Sequence, residues 1–168
     1  MPKKVFVSHK KEDSFTASKV AERVRANGIS TYLDVVDDAL GSDGPDLADH
    51  IRKRMSECDQ LMAVLSTATK DSWWVPWEIG VASEKDFRIA SYAEHYITLP
   101  EYLQKWPVLQ NMSEVDLYCE HSKRNELTTV RKMSEAFSSQ GRTTIFKSGI
   151  GDFHKDLTRA LTAKRRGF

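Results

Sequence analysis

Leu61-Met62-Ala63-Val64-Leu65 is the most apolar run in the chain, and it leaves no side of a strand to face water. Such a run is expected to be a central strand covered by helices on both faces. It ends at Ser66-Thr67. A second short apolar run, Val5-Phe6-Val7, stops at Ser8-His9 and reads as the first strand. Between the two, Ala17, Val20, Ala21 and Val24 recur at helical spacing, with Asp13 or Ser14 to cap the helix and Asn27-Gly28 to close it. Ile29 to Val36, rich in β-branched and aromatic residues, reads as the second strand. Asp46 can cap a second helix with the buried stripe Leu47, Ile51, Met55 and Cys58. A third helix starting near Pro76 and running to about Asp86, then a strand over Ile89 to Ala93, continue the rhythm. Strand and helix in alternation predict βαβ units and an α/β fold. The expected form is flavodoxin-like: a mostly parallel five-stranded sheet, order 2-1-3-4-5, with helices on both faces.

The pattern is weaker beyond Thr98. Thr98 with Glu101 resembles a capping box, and Pro107 would end that short helix. Leu127, Val130, Met133 and Phe137 form a helical stripe, Thr143 to Phe146 is the candidate fifth strand, and Phe153, Leu157, Ala160 and Leu161 line a final helix. With no repeat or linker, all 168 residues read as one domain whose C-terminal part, from about residue 98, is a helical extension. Twenty-five basic residues against twenty-four acidic ones supply no field to attract nucleic acid or an acidic membrane. The cluster Lys164-Arg165-Arg166 reads as a solvated helix end, favourable against the helix dipole. Cys58 and Cys119 are too few for a disulfide framework, the histidines are scattered, and no Cys/His spacing suggests a metal site. Without a membrane-length segment or a signal peptide, the chain reads as cytoplasmic.

Ligands of open α/β sheets bind beyond the carboxyl ends of the strands, where the strand order reverses. In this order that point lies between strands one and three, at Ser8-His9 and Ser66-Thr67, with the Asp37 to Pro45 loop beside it. A phospho-receiver site is excluded because those strand ends are not acidic. Gly149-Ile150-Gly151 has His154 where a dinucleotide fingerprint needs its third glycine, so Asp152 as a helix cap accounts better for the segment. Neither a phosphate loop nor a nucleophile elbow is present, and the acidic loop lacks the ligand order of a calcium site.

The remaining candidate is Ser72-Trp73-Trp74-Val75-Pro76-Trp77-Glu78-Ile79-Gly80, which holds three of the four tryptophans. With Pro76 as the first helical residue, Glu78 would cap the helix start and Trp74 would pack on Ile79 as a hydrophobic staple. A carboxylate and an indole beside the switch point also suit a cationic sugar substrate. Cleaving an N-ribosyl bond builds positive charge on the ribose, which a carboxylate stabilises and an aromatic face can stack against. Both readings stand on the residues alone.

Several motifs, in order, resemble the Toll/interleukin-1 receptor (TIR) domains. Val5 to His9 with Glu12-Asp13 is similar to that family's first strand and loop, Gly28-Ile29 through Asp34 to its second strand, and Asp37 to Pro45 to its BB loop. Ser56-Glu57-Cys58-Asp59 to Ser66 is similar to its third strand, and Trp74 to Glu78 to its tryptophan-glutamate helix. Pro100 to Leu109 looks more like the small bacterial members, such as the TIR proteins of Thoeris anti-phage defence. The resemblance implies cleavage of NAD at the nicotinamide-ribose bond, with NAD as substrate and no cofactor or metal. It carries the catalytic role to Glu78, and substrate contacts to Ser8, His9, Asp34, Asp37 and Trp74; Ser66 is added from its place at the strand end. The double tryptophan and Pro76 depart from the commoner pattern. Self-association through TIR surfaces and a separate effector sensing the product are implied as well. The rival expectation is a scaffold that binds other TIR domains or imitates host adaptors.

Overall fold

The protein is described from a computed structural model covering residues 4–33, 46–94 and 97–167. Its strands are β1 (Lys4–Ser8), β2 (Ser30–Leu33), β3 (Gln60–Val64), β4 (Arg88–Tyr92) and β5 (Val108–Leu109). The described α-helices are α1 (Ser14–Ala26), α2 (Asp46–Ser56), α3 (Trp74–Glu84), α4 (Met112–Ser134) and α5 (Ser139–Arg166). The strands form one sheet in the order β2-β1-β3-β4-β5, and every pairing is parallel. This is the flavodoxin-like α/β arrangement expected from the alternating pattern.

Two apolar layers cover the sheet, and the period-2 alternation of each strand decides which side chain joins which layer. Val5 and Val7 of β1, Met62 and Val64 of β3, and Ala90 and Tyr92 of β4 pack with α1, α4 and α5. Phe6, Leu61, Ala63 and Ile89 point the other way, toward α2 and α3. β3 is wholly buried, as its uninterrupted apolar run requires. Cys58 lies in the second layer, and burial pushes its thiol up to about 12, leaving it an inert core residue. Among the described residues no helix is long and apolar enough to cross a membrane.

The C-terminal part departs from the expectations. The fifth strand is Val108–Leu109, not Thr143 to Phe146, which lies inside α5. Thr143 and Thr144 turn their hydroxyls back to the carbonyls of Ser139 and Gln140 at 3.1 and 3.0 Å, so these β-branched residues are accommodated within a helix. Leu127, Val130, Met133 and Phe137 are not a core stripe: Leu127, Val130 and Phe137 are exposed, and α4 instead buries Val115, Tyr118 and Cys119. Gly149, Gly151 and Asp152 lie within α5, so Asp152 caps nothing. Gly149 marks a close helix crossing, since a Cβ there would sit 2.5 Å from Thr129 Oγ1. No capping box forms at Thr98 and Glu101; a 3-10 turn over Glu101–Lys105 starts after Pro100 without a side-chain cap. Lys164-Arg165-Arg166 does close α5 as a basic helix end, and the exposed Arg165 also pairs with the buried Glu114 through contacts of 2.9 and 2.8 Å.

Candidate active site

The alternation that puts Phe6 on the α3 side of the sheet puts Ser8 there too, at the carboxyl end of β1. Ser8 is fully buried and donates its hydroxyl hydrogen bond to the carboxylate of Glu78, which is 1% exposed. Helix α3 begins at Trp74, ahead of Pro76. Pro76 lies in the first turn, where its missing N–H would have no helical partner in any case. Trp73 at the N-cap supplies no side-chain bond, and the Val75 N–H donates to Ser72 Oγ at 3.3 Å. Glu78 therefore lies past the position from which it could cap the helix. Its carboxylate reaches across the sheet top to β1 instead. Burying a carboxylate is costly, and a helix that only needed capping would not place one there.

Ser66 follows β3 and faces the loop after β1. Its Oγ donates to Asp13 Oδ2 at 2.9 Å and accepts from the Ala68 N–H at 3.1 Å. Thr69 Oγ1 accepts from the Ser66 N–H at 2.8 Å, completing a capping box on the 3-10 turn Thr67–Asp71. Lys10 Nζ donates to the Ala68 carbonyl at 3.2 Å, so the two loops at the switch point are joined twice. Asp13, one of the two cap candidates, stands at the N-cap position of α1, yet its carboxylate makes no capping bond and is buried against Ser66. Only its position in the first loop hinted at this.

His9 is half-buried, with Nδ1 3.4 Å from the Val7 carbonyl. Trp74, one helical turn before Glu78 and on the same face, is half-buried and meets Trp77 edge-on at 5.7 Å. Both indoles pack against the layer containing Ile79, and Trp73 points to solvent. Ser8 and Glu78 are thus in direct contact. Ser66 belongs to the adjoining loop network, and Trp74 to the helix that carries Glu78. Asp34, Asp37 and the Asp37 to Pro45 loop lie outside the described residues. Among the described residues, no group of His, Cys, Asp and Glu is placed to hold a metal ion.

A parallel 2-1-3-4-5 sheet with a serine-bound carboxylate at its switch point defines an α/β protein with a candidate cleft between β1 and β3. The chain belongs to the TIR domain family, whose model matches residues 5–134, from β1 to the end of α4. A Bacillus cereus (strain MSX-D12) protein named "Probable 3' cyclic ADP-D-ribose synthase ThsB'" is 24% identical over 125 residues. That match covers 66% of this chain and 65% of the relative's own length, so a third of the relative has no counterpart in it. Among solved structures, the diflavin flavoprotein A3 from Nostoc sp. aligns over 98% of this chain and 99% of its own, at a TM-score of 0.43 and 10% identity. A likeness that low bears on neither fold nor function.

Proposed function

We propose that the protein is an NAD-consuming enzyme that breaks the nicotinamide-ribose bond, with Glu78 as the catalytic carboxylate. The observation that carries this reading is the buried contact between Ser8 and Glu78 at the sheet's switch point. Its TIR family membership and its similarity to a relative named for cyclic ADP-ribose synthesis support it.

The chemistry follows from the charge. The bond between the ribose C1′ and the pyridinium nitrogen breaks with its electron pair leaving on nicotinamide, which departs neutral. Positive charge then develops on the ribose, and a carboxylate held without reorganisation stabilises it. Ser8 fixes the Glu78 carboxylate by one of its oxygens. Trp74 offers an aromatic face one turn away, and His9, Asp34 and Asp37 are proposed to complete the substrate contacts. Capture of the cation by water gives ADP-ribose and a proton. Capture by a hydroxyl or base nitrogen of the same molecule gives a cyclic product. Either would serve as a diffusible signal for a separate effector, in the manner of anti-phage defence.

The test is to incubate the purified chain with NAD and identify the products by mass. Release of nicotinamide together with an ADP-ribose species is expected, and Glu78→Gln should abolish it while leaving the melting temperature close to wild type. Full turnover by that variant would move the catalytic role elsewhere. A wild-type chain that leaves NAD intact yet binds other TIR domains would favour a scaffold.

A further inference from the structure

Against α3, the helix that carries Glu78, lies a cavity of about 270 Å³. Its apolar side comes from Leu65, Val75, Ile79 and Leu103, and its polar side from the hydroxyl-bearing residues Ser66, Thr67, Thr69 and Ser72. Neither Ser8 nor Glu78 lines it, and no charged side chain does among the described residues. Among the described side chains, a phosphate, carboxylate or ammonium entering it would find no opposite charge in return for the water it gives up. An apolar side facing a row of hydroxyls instead suits a flat neutral ring with hydrogen-bonding groups on its edge. At about 270 Å³ it lies near the lower end of the roughly 300–1,000 Å³ typical of small-molecule pockets, the scale of a single ring system.

The walls of the cavity are also the supports of the candidate site. Val75 and Ile79 are on α3 on either side of Glu78 in sequence. Ser66 and Thr69 form the capping box that is hydrogen-bonded to Asp13, and Lys10 is bonded to the same turn. A ligand here would press on the helix that carries the carboxylate and on the loops that frame the cleft. We propose that this cavity is a second small-molecule site, for a neutral heteroaromatic base, whose occupancy alters turnover at Glu78 without competing for the dinucleotide. The effect on turnover rests on the proposed NAD cleavage; the binding does not.

The ring could come from a free base or from the base of an intact dinucleotide, and separate titrations distinguish them. Methyl NMR spectra of the whole chain are recorded with nicotinamide, with adenine, and with NAD added to Glu78→Gln. Saturable shifts of the Val75, Ile79 and Leu103 methyls are expected with a free base, in wild type and Glu78→Gln alike. Leu99→Trp, which fills the cavity, should remove them; if it fails to fold, Thr98→Trp on the exposed rim replaces it. In kinetics, adenine should change kcat with KM constant in wild type and do nothing in the filled variant. Absence of saturable shifts with both bases overturns the proposal. So do shifts seen only with intact NAD, which would make the cavity part of the dinucleotide cleft, and a rise in KM with kcat constant. A chain that binds the base but leaves NAD intact would sink the Glu78 reading and keep the site.

Discussion

Two serines at neighbouring strand ends do different work. Ser8 holds the Glu78 carboxylate, whereas Ser66 ties Asp13 to the turn after β3. Both end apolar runs at the switch point, which made Ser66 a candidate by position alone and Ser8 one by family resemblance as well. What each hydroxyl touches depends on pairs that lie 70 and 53 residues apart in the chain, which no local pattern encodes. Glu78 shows the same limit from the other side. Its spacing allowed a capping role, and only the start of α3 at Trp74 takes that role away. The Asp13 link makes a stability prediction. Ser66→Ala strips the buried Asp13 carboxylate and the Ala68 N–H of a partner, and should cost about 1–3 kcal/mol. Urea unfolding of Ser66→Ala, Asp13→Ala and the double variant measures it as a coupling energy. If the two single losses simply add, the bridge contributes nothing and the loops are held by other contacts.

Elements packed on the sheet along their whole length were readable, and elements that leave the sheet were not. β1, β3, α1 and α2 have patterns that match their burial almost residue by residue, because each is covered by the sheet or by its layers. The hairpin of α4 and α5 is different. The stripe from Leu127 to Phe137 has a true helical period, but the core ends before it. Periodicity reports a face without saying what that face meets. β5 escaped notice for the opposite reason: two residues make no pattern, and Leu109 is a core residue only because β4 runs beside it. Two of the three glycines of α5, Gly149 and Gly151, test this account of the hairpin. Nothing stands within 4 Å of a Cβ on Gly151, so Gly151→Ala should stabilise the protein by about 1 kcal/mol through helix propensity. Gly149→Ala should destabilise it instead, since its Cβ collides with Thr129, and adding Thr129→Ala should recover part of the loss. Thermal melts of the three variants beside wild type decide the matter. Equal effects of the two glycine substitutions would mean that the helices do not cross closely at Gly149.

The family match stops at residue 134, yet the molecule is closed by the helix that follows. Phe153, Leu157 and Leu161 of α5 fill the layer over β1, β3 and β4, beside Tyr118 of α4. Two of its polar contacts tie the helix to the sheet. Near its end, Arg165 reaches both oxygens of the buried Glu114 and the Val108 carbonyl, joining α5 to α4 and β5. Arg165→Ala leaves that carboxylate without its cation. Because Arg165 keeps some solvent contact, the loss should fall at or below the roughly 3 kcal/mol lower bound for breaking a fully buried pair. A chemical-unfolding midpoint unchanged from wild type would show that water replaces the arginine.

The second anchor is His154, whose Nε2 accepts the Ile89 N–H at 3.0 Å at the start of β4. That bond requires an unprotonated Nε2. Burial, reinforced by the nearby Arg88 and Lys105, lowers the His154 pKa to about 4 from an ordinary 6.5. Between those values the unfolded chain binds a proton that the folded chain refuses. Acid therefore favours unfolding in that window. The contribution of His154 is whole above about pH 6.5, shrinks as the pH falls toward 4, and is lost below that. His154→Gln keeps an oxygen able to accept from Ile89 and has nothing to titrate. Urea midpoints at pH 7.5 and pH 4.5 should fall further for wild type than for His154→Gln, while acidic groups common to both chains cancel in the comparison. Equal falls would show that His154 takes up its proton as readily in the folded chain, and that α5 is held to β4 by its apolar face alone.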